Sequence, residues 1–510
     1  ALENLYESKN IKKIVLYSSN QRLSDCVKEL CLKESIQFKE YILKGNRQRN
    51  DFINNLYKII KSSVWFLLYI FKRWSLRGYG IKDWINSKSS FTFVSYLTNF
   101  NVTKFKQGSY ESYFWGNLPK SMYSNKLNSN WLHIWDSGNF LKSPKDVKKN
   151  LKLLNLKNKN RQLHLTLDSF LTFTIIKDTL CTWFLIILKS LKVKNTFFKN
   201  NRYGFNLNLL QKNDWYNSFY GVEGIKNILF YYLLDSAFQT LNPKSNAFYL
   251  QENQSWEFGL IYSWRQHQKG LLSGVQHFTI RFWDLRYFFD KQYFNPKMKK
   301  LYFRPDKILV NSRIHKKRLF ETGYPKKEII NVEALRYNYL DLKQNKTNKT
   351  KTKTFSILVL GDYDEKINHE ILKVLEKAIE NSNFNLKIFY KPHPASEKLS
   401  FSKKLNVKII KDTFNKIFEK IDLVLCSSNS SASLDVLYFD LPLALYLNQK
   451  TLNLSPLNNS FDTVFYSDHF ELNKIILKIY YTRKKEGKKI NYFNLDKDIP
   501  LWLDFLRKLS

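Results

Sequence analysis

Three polar loops in the second half of the chain follow apolar stretches that are typical of buried strands. They begin with Gly361-Asp362, with Lys391-Pro392-His393-Pro394 and with the serine-rich run 427–431. Because ligands bind beyond the carboxyl ends of the strands in open α/β sheets, we expect these loops to form one site. Lysine and histidine donate charge-assisted hydrogen bonds to phosphate, and the start of a helix after the serines favours an anion.

The sequence therefore predicts that these loops bind the phosphate of a nucleotide. The residues assigned to this site are Asp362, Lys391, His393, Pro394, Ser427, Ser428, Ser430 and Ser431. Prolines on both sides of His393 restrict its backbone and preorganise its side chain. Taken singly, each signal has a simpler explanation, because the His-Pro dipeptide is common and the serines could only cap a helix. The chain has no GxxxxGK[S/T] loop and no GxGxxG turn, which argues against a P-loop NTPase and a classical dinucleotide fold.

A second set of chemically capable residues lies in the first half of the chain, between positions 248 and 290. Glu252 follows an apolar stretch, and His277 ends a short predicted strand. A carboxylate and a histidine at strand ends could supply a general base, and nearby arginines could clamp an anion. The candidates are Glu252, His277, Arg281, Asp284 and Arg286. Aromatic packing and surface ion pairs are the alternative explanation for many of them.

Two further segments combine aromatic and polar residues. Residues 112–138 contain Trp115 and Asn117, and aromatic faces beside hydrogen-bonding groups suit an acceptor sugar. A loop packed on a core would have the same sequence pattern. Glu333 and Arg336 precede a predicted linker, so we expect them at the junction of two domains and assign them to the donor site.

The composition limits the class of protein and its partners. With 510 residues, of which 44% are hydrophobic, the chain is predicted to form two or three domains. The net charge of +39 makes nucleic acid, anionic lipid and phosphorylated substrates candidate partners, but no nucleic-acid-binding motif is present, so nucleic acid is not predicted. Four cysteines without a CxxC pair argue against a disulfide framework or a cysteine-rich zinc site. Together with the absence of a recognisable signal peptide, they favour the cytoplasm.

Strands alternate with helices at βαβ spacing after residue 354, which predicts an α/β fold with a doubly wound parallel sheet. The segment KKIVLYSS near the N-terminus is predicted to begin a similar α/β layer. The predicted organisation is an N-terminal domain over residues 1–341, a linker or loop over 342–354, a C-terminal nucleotide-binding domain over 355–490 and a last amphipathic helix within 491–510.

Two apolar segments interrupt the N-terminal domain, at residues 56–74 and 170–191. Lysine, arginine or aspartate breaks both segments, so neither offers the roughly 20 apolar residues of a spanning helix. Tryptophans and lysines beside apolar residues are suited to a helix at the surface of an anionic membrane. The alternative is that both segments are core helices.

The motifs taken together resemble a known fold family. KPHP after a strand, a serine-rich turn before a helix and the strand LPLALY resemble the C-terminal half of GT-B glycosyltransferases. The segments SYFWGNLP, NWLHIW, YLQENQSWE, GVQHFTIRFWDLRYF and VEALRY look like a bacterial surface-carbohydrate biosynthesis family with the same C-terminal half. The resemblance covers residues 91–447 and implies two Rossmann-like domains facing a central cleft.

The resemblance also implies a reaction. Enzymes of this kind transfer a CMP-activated acidic sugar, such as Kdo or another nonulosonate, onto a surface polysaccharide or a lipid-linked acceptor, without a metal or other cofactor. His393 and Lys391 would contact the donor phosphate, and the serine-rich turn would hold phosphate or ribose. The short acidic motif of the sialyltransferases is absent, so the catalytic carboxylate is assigned to Glu252 first and to Asp284 second. The protein is expected to lie on the inner face of the cytoplasmic membrane.

Two other functions remain compatible with the same residues. One is a phosphotransferase that moves a polyol phosphate from a CDP-activated donor, because the C-terminal half is similar in both classes. The other is a membrane-associated scaffold that keeps the fold but not the chemistry. The number of subunits is not predicted.

Overall fold

The computed structural model describes most of the chain. The described ranges are 11–42, 51–138, 140–158, 161–199, 207–267, 270–281, 284–287, 289, 291–295, 304–343, 354–380, 382–393, 405–410, 420–439, 441–448, 453–457, 464–482 and 492–510. Pro394 and residues 344–353 of the predicted linker lie outside these ranges.

The first strands form a small unit of their own. Strand β1 (Lys13–Ser18) pairs in parallel with β2 (Gln37–Ile42), and helix α1 (Gln21–Lys33) connects them. The predicted βα start is therefore present, but these strands do not join the large sheet that follows. Val27, Cys31 and Ile36 form the small core of this unit.

Seven parallel strands make the sheet of the first domain. They are β3 (Phe91–Tyr96), β4 (Ser129–Ile134), β5 (Gln162–Thr166), β6 (Asn246–Leu250), β7 (Leu272–Val275), β8 (Lys307–Val310) and β9 (Ile329–Asn331). Their order in the sheet is β5-β4-β3-β6-β7-β8-β9, and every pairing is parallel. The order reverses between β3 and β6, and in open α/β sheets ligands bind at such a switch point.

The helices up to residue 321 connect and cover this sheet. They are α2 (Asp51–Arg73), α3 (Ile81–Ile85), α4 (Val102–Lys106), α5 (Leu118–Ser124), α6 (Pro144–Lys157), α7 (Phe173–Lys199), α8 (Lys212–Tyr220), α9 (Val222–Gln239), α10 (Ser255–His267) and α11 (Arg313–Glu321). Short 3₁₀ segments include Leu167–Phe170 and Leu335–Lys343.

The sheet is buried on both faces, as expected for a parallel sheet with helices on either side. Alternate residues of β3 serve different cores: Phe91 and Phe93 pack in one, and Val94 packs in the other. Four strands of the sheet, β4 to β7, have no intermediate or exposed position. Because both faces are apolar, chemistry is confined to the edge where the carboxyl ends of the strands meet.

Six parallel strands form the second sheet. They are β10 (Phe355–Leu360), β11 (Leu386–Lys391), β12 (Val407–Ile409), β13 (Leu423–Ser427), β14 (Leu443–Tyr446) and β15 (Val464–Tyr466), in the order β12-β11-β10-β13-β14-β15. The helices described around it are α12 (Glu365–Ile379), α13 (Ala432–Tyr438) and α14 (His469–Thr482). This is the Rossmann strand order, with its switch point between β10 and β13. The expectation of an α/β fold with two Rossmann-like domains is confirmed by this topology.

The chain then returns to the first domain. Helix α15 (Pro500–Arg507) places Trp502 and Leu506 in the core on one face of the first sheet, beside Phe248. On the way, the backbone N–H of Asn494 donates to the carbonyl of Asn311 at 2.9 Å. The last residues therefore belong to the packing of the first domain and also link it to the second.

Candidate functional site

Glu252 and His277 meet next to the switch point of the first sheet. Glu252 lies two residues beyond β6, and His277 lies two residues beyond the neighbouring strand β7. Nε2 of His277 is 3.0 Å from Oε1 of Glu252. The structure thus brings together two of the three residues that the sequence predicted as catalytic; the third is Asp284. The histidine side chain is buried, whereas the Glu252 side chain is 21% exposed, so Glu252 is the member of the pair that a substrate can reach.

The surroundings favour a neutral imidazole and an ionised carboxylate. Burial would raise the pKa of Glu252, but His277, together with a hydrogen bond from Gln254 and the charge of Arg286, outweighs it, and the pKa is lowered. Burial lowers the pKa of His277, with the Glu252 carboxylate opposing this shift. Within the described residues, Nδ1 of His277 is buried without a hydrogen-bond partner. An unpaired N–H at this nitrogen would cost more free energy than an unpaired lone pair. We therefore assign Nε2–H as the donor to Glu252.

Glu257 fixes the loop that carries Glu252. Its carboxylate accepts the backbone N–H groups of Glu252 at 2.9 Å, Asn253 at 3.1 Å and Gln254 at 3.0 Å, in the first turn of α10. Burial raises the pKa of Glu257 to about 7, although these hydrogen bonds oppose the shift. Three donors on one carboxylate hold residues 252–254 in a single conformation, which preorganises the Glu252 side chain.

Asp284 and Arg286 form an ion pair beside this loop. Nε and Nη2 of Arg286 each lie 2.8 Å from a carboxylate oxygen of Asp284, and Nη1 is 3.4 Å from the Glu252 carbonyl. Both oxygens of Asp284 are thus engaged by one guanidinium, which leaves Glu252 as the better placed base. The predicted anion-binding Arg286 is half exposed and lies at this edge.

Residues 335–343 connect this edge to the second sheet. The guanidinium of Arg336 lies 5.9 Å from the ring centre of Phe114, which in turn packs edge-on against His277. Arg336 also lowers the pKa of His277. Three residues later, the hydroxyl of Tyr339 donates to Asp435 at 2.8 Å, and Asp435 lies on α13 directly behind the serine-rich loop.

Arg281 lies near the same connection. Burial raises the pKa of Tyr337, beside Arg336, to about 12, and the charge of Arg281 opposes this shift. The carboxyl edges of both sheets therefore lie on either side of residues 336–339, as expected for two domains that share a cleft.

In the second sheet, the loops after β10 and β11 pack against each other. The N–H of Gly361 donates to the carbonyl of Lys391 at 2.9 Å. A Cβ on Gly361 would lie 2.6 Å from the Tyr390 hydroxyl and 3.0 Å from the backbone nitrogen of His393, so only glycine permits this approach. Asp362 accepts the N–H of Asp364 at 3.0 Å and orders the turn into α12. Asp362, Lys391 and His393 are thus brought together as predicted.

The serine-rich loop lies on the other side of this switch point, after β13. Oγ of Ser427 accepts the N–H of Asn429 at 3.0 Å, and Oγ of Ser430 accepts that of Ala432 at 3.3 Å. The N–H of Ser428 donates to the Tyr446 carbonyl at 3.0 Å. The Ser431 side chain makes no capping hydrogen bond and is exposed at the start of α13. Ser427 and Ser430 therefore shape the loop, and each hydroxyl keeps its proton available as a donor.

Three predicted site residues have structural roles instead. Trp115 is fully buried and donates from Nε1 to Oγ of Ser95 at 2.9 Å, so it cannot contact an acceptor. Asn117 donates to the carbonyl of Lys497 at 2.6 Å and ties its loop to the C-terminal segment. Glu333 is buried, and its two oxygens accept the N–H groups of Leu501 and Trp502 at 2.8 and 3.0 Å.

Glu333 therefore caps helix α15 and is not directed at a nucleotide. These corrections have one cause. The C-terminal helix packs on the first domain, and Trp115, Asn117 and Glu333 hold it there. The sequence pattern of aromatic and polar residues is the same for such a junction as for a sugar site.

Sequence reasoning missed two contributors. Glu257 is not among the candidates from the sequence, although a glutamate in the first turn of a helix is a typical capping residue. The Tyr339–Asp435 contact had no sequence signal, because its partners are separated by 96 residues. Among the residues that the structure describes, no group of three or more His, Cys, Asp or Glu side chains could hold a metal ion.

Comparisons with known proteins give similarity at the level of the fold. No family model and no curated protein match this chain. Among solved structures, UDP-GlcNAc 2-epimerase from Methanocaldococcus jannaschii has a TM-score of 0.44 and 11% identity, over 82% of this chain and 99% of that chain. The UDP-GlcNAc 2-epimerase from Neisseria meningitidis bound to UDP-GlcNAc has a TM-score of 0.44 and 9% identity, over 82% and 99%.

MurG from Acinetobacter baumannii has a TM-score of 0.40 and 9% identity, again over 82% of this chain and 99% of that chain. Similarity this low says nothing about the reaction. The fold assignment accordingly rests on the strand order and pairing of the two sheets.

Proposed function

We propose that this protein is a glycosyltransferase that moves a sugar from a nucleotide-activated donor onto a polysaccharide or lipid-linked acceptor. The observation that carries the proposal is the pairing of Glu252 with His277 next to the switch point of the first sheet, while Lys391, His393 and the serine-rich loop lie near the switch point of the second sheet. An ionised carboxylate on one side and phosphate-binding groups on the other are what sugar transfer requires.

The chemistry follows from these positions. Glu252 takes the proton of an acceptor hydroxyl, whose oxygen then attacks the anomeric carbon of the donor sugar. The bond between that carbon and the phosphate oxygen breaks, and the electron pair leaves with the phosphate. Lys391, His393 and the N–H groups near Ser431 stabilise the departing charge. His277 orients the base and keeps it ionised, and Arg336 and Arg281 are placed to attract the anionic groups of the substrates.

The donor is proposed to be a CMP-activated acidic sugar such as Kdo or another nonulosonate. This choice rests on the resemblance of the KPHP segment and the serine-rich turn to enzymes that use such donors. The basic residues Arg281, Arg286 and Arg336 support an acidic sugar, because its carboxylate needs a cationic partner. The proposed location is the cytoplasm, peripheral on the inner face of the cytoplasmic membrane, where such acceptors are assembled.

A thermal-shift panel tests the nucleotide. CMP, CDP, UDP and GDP are compared on the wild type and on His393→Ala, with His469→Ala as control because His469 follows the edge strand β15. We expect CMP to raise the melting temperature most, an effect that His393→Ala reduces and His469→Ala retains. Stabilisation by no nucleotide would overturn the donor site.

The same panel separates the rival donors. A clear preference for UDP or GDP would overturn the acidic-sugar assignment while keeping a nucleotide site. A preference for CDP over CMP, with transfer of a polyol phosphate and no transfer of sugar, would replace the glycosyltransferase by the phosphotransferase.

A further inference from the structure

Helix α2 has two apolar faces, and only one of them is buried. Ser62, Phe66 and Tyr69 point into the protein. The opposite face carries eight large apolar side chains that are all exposed: Ile53, Leu56, Tyr57, Ile60, Val64, Leu67, Leu68 and Phe71. At 3.6 residues per turn these positions fall within an arc of about 120°, which makes one uninterrupted stripe along the helix. Phe71 is 82% exposed and Leu67 is 65% exposed.

Helix α7 also has one buried and one exposed apolar side, although the exposed Lys177 lies within the exposed side. Ile175, Thr179, Trp183 and Ser190 are buried on its inner side. Its outer side exposes Phe173, Leu180, Phe184, Leu185, Leu188 and Leu191. No helix among the described residues is long and apolar enough to cross a membrane.

Polar contacts fix which faces of the two helices point outward. Nε1 of Trp183 donates to the carbonyl of Phe219 at 2.9 Å, and Oγ of Ser62 lies 3.0 Å from the carbonyl of Tyr220 and 2.7 Å from that of Lys58 in its own helix. Both helices are therefore held on the C-terminal end of α8. Rotating either helix to bury its stripe would break a buried hydrogen bond.

The two stripes meet at one end. The ring centres of Trp74, just after α2, and Phe173, at the start of α7, are 4.7 Å apart. The guanidinium of Arg77 lies over both rings. The outer faces of α2 and α7 are thus joined into one surface, which we call the docking surface.

Basic residues border this surface. Lys61 and Lys72 flank the α2 stripe, and Lys177, Lys189 and Lys192 are exposed on α7. Asp51 and Asp178 are the single acidic residues of the two helices. A second copy of this chain, with a net charge of +39, would be repelled from such a border. Anionic lipid offers both an apolar interior for the stripes and negative headgroups for the lysines.

We propose that the outer faces of α2 and α7 dock on the surface of an anionic lipid bilayer, with both helices lying in the interface. The docking surface borders the catalytic edge of the first sheet, because Arg73 at the end of α2 donates to the carbonyl of Trp135, just beyond β4. Helix α7 likewise begins close behind β5. Docking therefore brings Glu252 near the membrane, and the corollary that the acceptor is lipid-linked rests on the proposed function.

Vesicle flotation of the full chain without nucleotide tests the docking surface. Vesicles of phosphatidylcholine alone are compared with vesicles that also contain phosphatidylglycerol, at low and high salt. We expect flotation with the anionic vesicles that weakens with salt. The double variants Leu67→Ser/Phe71→Ser and Phe184→Ser/Leu188→Ser should each weaken partitioning by about tenfold or more. Leu156→Ser/Phe470→Ser is the matched control, because these residues are 66% and 68% exposed on other faces.

Two double charge-reversal variants test whether the lysines of the docking surface contact anionic headgroups. Lys61→Glu/Lys192→Glu should reduce flotation with anionic vesicles, whereas Lys373→Glu/Lys377→Glu on α12 should not. Thermal unfolding checks that every variant is folded, which we expect because the altered side chains are exposed. Wild-type protein that fails to float, or stripe variants that float like the control, would overturn the proposal.

Light scattering of the free protein tests whether a second copy of this chain occupies the docking surface instead of lipid. A dimer that the stripe variants convert to monomers would assign the surface to a second copy and overturn lipid docking. Failure of the proposed reaction is distinguishable, because it would show in the nucleotide panel and leave flotation unchanged.

Discussion

The carboxylate of Glu252 lies 3.0 Å from Nε2 of His277, beyond the neighbouring strands β6 and β7 and next to the point where the strand order of the first sheet reverses. The two residues are 25 positions apart and are brought together only because β6 and β7 are neighbours. Parallel pairing places the carboxyl ends of both strands at one edge, and each side chain follows its strand by two residues. This pair is the basis of the first two predictions.

Glu252→Gln should abolish most of the transfer activity. The amide keeps the size of the side chain but cannot take a proton, so we expect kcat/KM to fall by about 10²–10⁴-fold while nucleotide binding and melting temperature stay close to the wild type. Steady-state transfer assays measure this loss. Asp235→Asn is the matched control, because Asp235 also pairs with a histidine, His267, at 2.8 Å but lies away from the strand ends. Activity of Glu252→Gln within a few-fold of the wild type would exclude Glu252 as the base.

His277→Ala should change the pH dependence of the reaction. The hydrogen bond and attraction of His277 lower the pKa of Glu252, so their removal lets burial raise it. Because only the carboxylate can act as a base, the acid limb of kcat/KM should move to higher pH. The pKa that describes the acid limb of the wild type should lie below the ordinary pKa of a glutamate. The ionised carboxylate also contributes to the free energy of unfolding. This contribution is present above the unfolded pKa of Glu252 and is lost as the pH falls through its folded pKa.

The conservative variant separates positioning from packing. His277→Gln can still donate an N–H to Glu252, so its acid limb should move less than that of His277→Ala. His267→Ala serves as the control histidine. Superimposable pH profiles for the wild type and His277→Ala would show that His277 does not act through Glu252.

Glu257→Gln should reveal a pH-dependent contribution to stability. The folded pKa of Glu257 is about 7, above its ordinary value of 4.5, so the buried group stabilises the fold fully at acidic pH and loses this contribution as the pH rises through 7. Glutamine also turns an N–H donor toward a backbone N–H of residues 252–254, which destabilises the variant at all pH values. The stability advantage of the wild type should therefore shrink between about pH 5 and pH 8.

Melting temperatures of the wild type and Glu257→Gln across this range measure the effect. Glu223→Gln is the control, because Glu223 forms an exposed pair with Lys226. A difference that does not change with pH would mean that Glu257 is ionised throughout and acts only as a hydrogen-bond acceptor.

Glu333→Ala should loosen the C-terminal helix without affecting the donor. Loss of a cap that accepts two backbone N–H groups costs about 1–2 kcal/mol of unfolding free energy. Urea unfolding and limited proteolysis near residue 500 should detect this loss, and Glu321→Ala on the exposed side of α11 should not show it. If Glu333→Ala keeps its stability but loses the nucleotide-induced thermal shift, Glu333 contacts the donor after all.

Local patterns in the sequence were sufficient for the elements that carry the chemistry. Alternating apolar segments and polar turns predict five of the six strands of the second sheet, because each is short and bounded by loop residues; the edge strand β15 was not predicted. The strand-end position of Glu252, His277, Lys391, His393 and Ser427 follows from the same local pattern. The general rule that ligands bind at the carboxyl ends of parallel strands then groups them by sheet.

Only the tertiary structure decided which residues meet across the sheets and which are structural. Trp115, Asn117 and Glu333 have the composition of a binding site, but the chain returns to the first domain, where Trp502 packs on Trp115 and Glu333, and Lys497 accepts a hydrogen bond from Asn117. A local sequence pattern does not specify these contacts, because each contact joins segments more than 150 residues apart. The helices α2 and α7 show the same limit. Their sequences are apolar on most sides, and only packing against α8 and α9 determines which face is buried and which remains exposed.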